Sequence, residues 1–300
     1  MDVLFPQTID IPSPITSLLS LFPQTILSLL FALTLPLLTL LYIHYDYCAF
    51  LSLGPGGTPS TPLGYLKIKL LSLVSLRDPY RPLPVPSYFR PQSGYLTSSS
   101  LCTRPGRRPL VRGIAPQRQQ SQKSPASVYK LLVASLQSLS RDPTNALTER
   151  TSCFEKHSSG LFAKVPITRT CGGEICHAHP SDGSMHLTLH PADAKIVLEA
   201  GWGERHPLAK GGWFRRFVPR EFVLVYAPRE EREVETVVKV VEAAVWWVSG
   251  VDVRREDGES VKERGVGDED ALRASRRNEC WACKMHGCGN KNVEKMVGSA

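Results

Sequence analysis

The sequence predicts an α+β fold, an antiparallel sheet packed with helices, preceded by one transmembrane helix and a disordered Pro-rich tether. Three observations predict it. Residues 11–43 carry no charge. Residues 78–125 are rich in Pro, Ser and Arg and lose apolar periodicity. From residue 126 onward, short alternating segments bounded by turn residues give way to helical periodicities, as paired strands followed by helices would.

These observations divide the chain into a membrane anchor (1–50, span about 23–43), an amphipathic segment and tether (51–125), an α+β domain (126–250) and a charged, Cys-containing tail (251–300). The apolar run exceeds a usual signal-peptide core and has no basic residue before it, which favours a retained anchor. Tyr42, Tyr45 and Tyr47 at its end suit an interfacial belt. Residues 63–76 mix Leu and Ile with Lys67 and Lys69, a short amphipathic helix either on the membrane surface or packed on the domain.

Charge is unevenly distributed. Residues 1–63 have only Asp2, Asp10 and Asp46, a net of −3. Residues 64–128 have eleven basic residues against Asp78, a net of +10, which leaves +1 of the overall +8 for the rest. The basic charge thus belongs to the tether, without the interleaved aromatics of a nucleic-acid surface, and nucleic acid is not an expected partner. Under the positive-inside bias the C-terminal portion is cytosolic, and the expected location is a single-pass protein of the endoplasmic reticulum membrane. Eight irregularly spaced cysteines do not form a secreted disulfide framework.

Within the domain, Tyr129, Leu132, Val133, Leu136 and Leu139 recur at helical spacing until Asp142-Pro143. Residues 151–157 and 161–165 flank Ser158-Ser159-Gly160 as a hairpin would. Residues 174–179 predict a strand and 180–183 a turn. In residues 184–190, Met185, Leu187 and Leu189 take one face, and His186, Thr188 and His190 the other. Pro191 and Gly201 bracket a helix over 192–200, with His190 as a helix-start residue. Residues 201–212 read as a loop and 221–226 as a strand. The last helix has a buried stripe of Val234, Val237, Val238, Val241, Ala244, Val245 and Val248.

Five of the eight histidines, His177, His179, His186, His190 and His206, fall within residues 172–229. Imidazoles titrate near neutrality, so such a cluster can move protons. The blocks Glu174-Ile175-Cys176-His177-Ala178-His179, Met185-His186-Leu187, 201–209 (Gly-Trp-Gly-Glu-Arg-His-Pro-Leu-Ala) and Tyr226-Ala227-Pro228-Arg229 resemble those of the fungal luciferase family. Tyr45-Asp46-Tyr47, Phe50-Leu51, Gly54-Pro55, Arg108-Pro109 and Gln117-Arg118-Gln119 support the resemblance.

The resemblance implies an oxidoreductase that oxidises a hydroxylated styrylpyrone, 3-hydroxyhispidin, with molecular oxygen as co-substrate, losing carbon dioxide through a peroxide and using no metal or organic cofactor. The Pro-Ser-Asp-Gly-Ser turn, the tether and the tail depart from the luminous enzymes, so the expectation is an oxygenase of a small hydroxypyrone or phenolic without light as a requirement. Such chemistry needs a base, a group to hold the anion and a dry pocket. His177, His179, His186 and His206 are the candidate bases, Arg205 with Arg229 the candidate anion-holding groups, and Trp202, Tyr226 and Arg229 the candidate substrate-binding residues. Core packing is the alternative for Trp202, and a solvated pair with Glu204 for Arg205. Two alternatives stand beside this: a non-catalytic small-molecule or lipid-binding module, and a metal-dependent oxygenase using His177, His179 and His186, with Asp182 or Glu174 as a further ligand. Cys280, Cys283, His286 and Cys288 are too closely spaced for a usual zinc knuckle, and a disordered tail with free thiols is expected.

Overall fold

In the computed structural model, residues 13–253 are described, with side-chain surroundings from residue 24 onward. The expectation for the cysteines and His286 of the tail lies outside the described residues. The chain divides into two compact units at Ser52. The first is helix α1 (Ser13–Leu51). Its stretch Gln24–Leu51, 28 residues, is long and apolar enough to cross a membrane. At about 1.5 Å per residue it exceeds a hydrocarbon core of about 30 Å. Helix α1 runs through Pro36 and extends beyond the predicted 23–43.

The second unit starts with α2 (Pro62–Leu73), where Thr61 accepts from Gly64 N at 3.1 Å and Pro62 pre-sets the first turn. A small hairpin follows, β1 (Val111–Gly113) and β2 (Gln117–Gln119), then α3 (Ala126–Arg141). The main sheet contains β3 (Leu147–Thr151), β4 (Ser159–Ala163), β5 (Glu174–Ala178), β6 (Met185–Thr188), β7 (Gly203–Arg205) and β8 (Phe222–Val225). All its pairings are antiparallel, in the order β3-β4-β5-β6-β8-β7. Helix α4 (Pro191–Glu199) joins β6 to β7, and α5 (Glu231–Ser249) is the last element among the described residues. The α+β class is as the sequence predicts.

The sheet has two different faces because strand side chains alternate. Cys176 and Ala178 of β5 pair with Leu187 and Met185 of β6 on the face covered by α5. There Val234, Val237, Val241, Ala244, Val245 and Val248 are buried as the stripe predicts, with Val238 at its partly buried margin. Each buried valine among them contributes about 1.5–3 kcal/mol by burial. His177 pairs with His186 across the same two strands and faces the other way. The hydrophobic layer therefore fixes the strand register that brings the histidines together.

Three expectations are corrected. Residues 78–125 follow the irregular course predicted, but they are laid down on the domain and do not form a loose tether. The buried Asp193 carboxylate accepts from Tyr95 N (3.0 Å) and Leu96 N (2.7 Å), Arg108 donates to Gly203 O (2.8 Å) and Leu198 O (2.6 Å), and Gln117, Arg118 and Gln119 are buried. Scattered polar anchors do this work, and they have no periodicity to read. The hairpin turn spans 152–158, because Ser152 Oγ accepts from Phe154 N and Glu155 N and so takes these residues out of the strand. Finally, the 201–212 loop contains β7. Gly203 makes this possible, since a Cβ there would lie 2.6 Å from Leu224 O.

Candidate active site

His177, His179 and His186 lie on the face of the sheet away from α5, 2%, 0% and 4% exposed. The β5–β6 turn brings them together. His179 N donates to Ser184 O, and Gly183 adopts φ +80° with Ser124 packed where a Cβ would project. Each histidine uses one ring nitrogen on a polar partner: His177 Nδ1 with Glu174 Oε1 at 2.7 Å, His179 Nδ1 with Ser184 Oγ at 2.9 Å, and His186 Nε2 with Gln117 Oε1 at 2.9 Å.

These partners fix the tautomers. The Glu174 carboxylate only accepts, so His177 Nδ1 carries a proton. Ser184 spends its single hydroxyl proton on Asp182 Oδ1 (2.6 Å), so its oxygen accepts from His179 Nδ1. The Gln117 amide nitrogen donates to Glu204 Oε1 (2.9 Å), which turns its oxygen toward His186, and Nε2 there must donate. In the neutral rings of His179 and His186 the inward nitrogens are then lone-pair bearing, and His177 turns its Nε2 toward them. His186 Nδ1 stands 3.1 Å from His179 Nε2 and 3.3 Å from His177 Nε2.

Burial first, and the neighbouring imidazoles and Arg118 second, hold His179 and His186 well below the usual imidazole pKa, which keeps both neutral. His206 donates from Nε2 to Ile114 O (2.9 Å) and accepts at Nδ1 from Leu208 N (3.1 Å). Both its nitrogens are committed to backbone, and burial lowers its pKa to about 4. It stands edge-on to His186, ring centroids 5.4 Å apart, as a fixed wall.

His177, His186 and His206 line a cavity of about 110 Å³, with Phe222 stacked on His186 at 5.0 Å. Arg118 and Glu155 form an ion pair in its wall, and burial raises the Glu155 pKa against the pull of Arg118. A second hollow of about 440 Å³ shares Lys67, Leu71, Arg216 and Phe217 with it.

The structure brings together four of the predicted residues, His177, His179, His186 and His206. It places the other four elsewhere. Arg205 donates to Ala209 O and Arg81 O, holding its own loop, and burial lowers its pKa to about 10. Trp202 is core, 1% exposed, with Nε1 donating to Cys102 O at 2.7 Å. Arg229 pairs with Glu233 and donates to Pro105 O. Tyr226 is buried, its hydroxyl on Glu204 Oε2 at 3.1 Å. It reaches the cluster only by relay, through Glu204 and Gln117 to His186. Arg118, 87 positions before Arg205 in the chain, lines the cavity with the histidines, as do Lys67, Lys156 and Arg216, whereas Arg205 does not. Glu174, Ser184, Gln117, Arg118 and Phe222 are additions that spacing alone does not reveal, although Gln117-Arg118-Gln119 already carried part of the resemblance.

A family model described as the luciferase domain matches residues 172–244, the stretch that carries the cluster. The luciferase of Armillaria ostoyae is 32% identical over 228 residues, covering 69% of this chain and 82% of the relative. The luciferase of Neonothopanus nambi is 31% identical over 223 residues, covering 69% and 81%. No solved structure matches significantly. With this likeness extending well beyond the histidine-bearing strands and across most of each relative's length, the chain belongs to the fungal luciferase family.

Proposed function

We propose that this protein is a membrane-anchored oxygenase that oxidises a small conjugated hydroxypyrone or phenolic with dioxygen, in the cavity above His177 and His186. The observation that carries the reading is the cluster of His177, His179 and His186 beside a Phe-lined cavity, with lone pairs of neutral imidazoles turned inward and His177 and His186 in the cavity wall. An enol hydroxyl entering the cavity donates toward these lone pairs, which favours its ionisation. The anion is held beside the Arg118 guanidinium, and Phe222 and Phe154 supply flat apolar walls for a planar ring. The enolate carbon then bonds to one oxygen atom. Its electron pair reduces dioxygen to the peroxide level, and the proton returns to the distal oxygen.

Helix α1 supplies the anchor in this reading, with the +10 segment that follows on the cytosolic side. Oxygen uptake by the full chain in detergent, with a panel of hydroxypyrones and phenols, is the test. Uptake that disappears in His177→Ala and His186→Ala supports the reading. Tight ligand binding with no uptake would replace it with a binding module. Protease protection in microsomes checks the orientation.

A further inference from the structure

We infer that His177, His179 and His186 form a three-histidine site for a divalent first-row transition metal, with an open position facing the cavity. The inference deepens the proposed function but rests on geometry alone. Three outward nitrogens are engaged by Glu174, Ser184 and Gln117, leaving Nε2, Nε2 and Nδ1 as the three ligand atoms. One ring nitrogen from each of the three residues lies within 4.8 Å of the other two. Metal–nitrogen bonds of about 2.0–2.1 Å at tetrahedral angles place ligand nitrogens about 3.3 Å apart. The separations of His186 Nδ1 from its two partners are 3.1 and 3.3 Å.

The outer hydrogen bonds have the form that orients metal-bound histidines. A carboxylate holds His177, an Asp182-backed serine holds His179, and an amide locked by Glu204 holds His186. Imidazole donors with no thiolate suit zinc, iron, cobalt, nickel or copper rather than magnesium or calcium. His177 and His186 line the cavity while His179 stands behind them, so the uncoordinated side points to where substrate enters. A cation there would hold the ionised oxygen of a hydroxy-carbonyl ring directly. Coordination occupies the lone pairs, so with metal bound the cation, in place of the imidazoles, favours ionisation of the substrate hydroxyl.

The test uses the full chain in detergent micelles, loaded with Co²⁺ and separately with Zn²⁺, then desalted. One equivalent per chain by elemental analysis, with cobalt ligand-field bands in the visible, is expected. Both are lost in His177→Ala and His179→Ala, and kept in His157→Ala, whose imidazole is exposed and outside the site. Circular dichroism confirms that each variant is folded. Substoichiometric metal in folded wild type, or retention in both cluster variants, overturns the site. Oxygen uptake separates the two readings. Metal bound without turnover of any pyrone sinks the oxygenase but not the site, and full turnover by protein that takes up no metal does the reverse.

We further infer, from a separate observation, that the mouth of the cavity lies against anionic lipid. Helix α2 buries Gly64 and Ile68 and leaves Leu63, Leu66 and Leu70 exposed at 77%, 53% and 59%. Trp213, 56% exposed, stands in the short 3-10 turn Gly212–Arg216 and lines the same apolar hollow. Lys67, Lys69, Lys210, Arg215 and Arg216 accompany these side chains, and residues 62–73 and 207–220 contain no acidic residue. Apolar and basic side chains without acid are what a bilayer interface selects. The hollow adjoins the histidine cavity, with Lys67, Leu71, Arg216 and Phe217 in the wall of both, which places an apolar substrate held at the lipid surface one side-chain layer from the histidines.

Full chain reconstituted in phosphatidylserine-containing nanodiscs with brominated acyl chains tests this. The fluorescence difference between wild type and Trp213→Phe isolates Trp213, and strong quenching of that difference is expected. An unquenched difference means that the surface faces solvent or another copy, and overturns the proposal.

Discussion

The side-chain oxygen of Gln117 accepts from His186 Nε2 at 2.9 Å, while its amide nitrogen donates to Glu204 at the same distance. One residue from the small hairpin thereby sets the tautomer of a histidine on the main sheet. Gln117→Leu keeps the volume and removes both contacts. Outer-shell partners of this type are worth about 10–100-fold in activity or metal affinity. We expect a loss of that size in oxygen uptake, with stability reduced by about 1–3 kcal/mol for the buried groups left unpaired. Wild-type turnover in a folded Gln117→Leu protein would show that the tautomer is immaterial.

Trp202 is a structural residue in this fold, with Arg104 over both its ring and that of Tyr226 at 5.6 Å. Trp202→Ala should cost about 3–5 kcal/mol of stability, as for other large buried aromatics. Trp202→Phe, which retains most of the packing, should leave KM for the oxidised substrate unchanged. A KM raised tenfold or more with an unshifted Tm would return Trp202 to the binding surface.

The contrast between Trp202 and His186 shows what a linear sequence can reveal. Alternation in 184–190 placed Met185, Leu187 and Leu189 against the helix layer, because a half-buried strand has a strict period of two. The same period put His177, His179 and His186 on one face, so most of the cluster was legible. Of residues 201–229, His206 and Phe222 reach the cavity while Trp202, Arg205, Tyr226 and Arg229 do not. Trp202 packs into the core, Arg205 holds its loop and Arg229 pairs with Glu233, each by contacts 4 to 124 positions away. Arg118 and Gln117 come from a segment of Pro-rich composition that is held by side-chain bonds to backbone, which leave no periodic trace.

Glu174 gathers three donors: Ser152 Oγ at 2.6 Å, Cys153 N at 2.7 Å and His177 Nδ1 at 2.7 Å. It thus joins the turn after β3 to the histidine that it orients. Glu174→Gln replaces one accepting oxygen with a donor, so at least one of these donors is left buried and unpaired. The expected loss is about 1–3 kcal/mol, read from chemical denaturation. Oxygen uptake should fall in the same variant, since the proton on His177 Nδ1 no longer has a carboxylate to hold it. Unchanged stability and unchanged uptake together would remove Glu174 from the site.

Glu204 gives the fold a pH dependence whose sign is fixed. Burial raises its pKa above 4.5, while the hydrogen bonds from Tyr226 and Gln117 pull the other way and do not cancel it. Between 4.5 and that raised value the folded state keeps a proton that the unfolded chain has released. The contribution of this group is therefore full below about 4.5 and declines as pH rises through the folded pKa. Glu221 is raised in the same direction by burial and adds to the trend. Glu204→Gln removes the titration without a large change of shape, and the Tyr226 hydroxyl can accept from an amide as readily as it donates to a carboxylate. Thermal unfolding of wild type and Glu204→Gln in detergent, from about pH 4 to about pH 8, should give curves that separate as pH rises, with the variant declining less steeply. Parallel curves would mean that Glu204 is solvated in the folded state and that the Gln117 link is looser than its geometry implies.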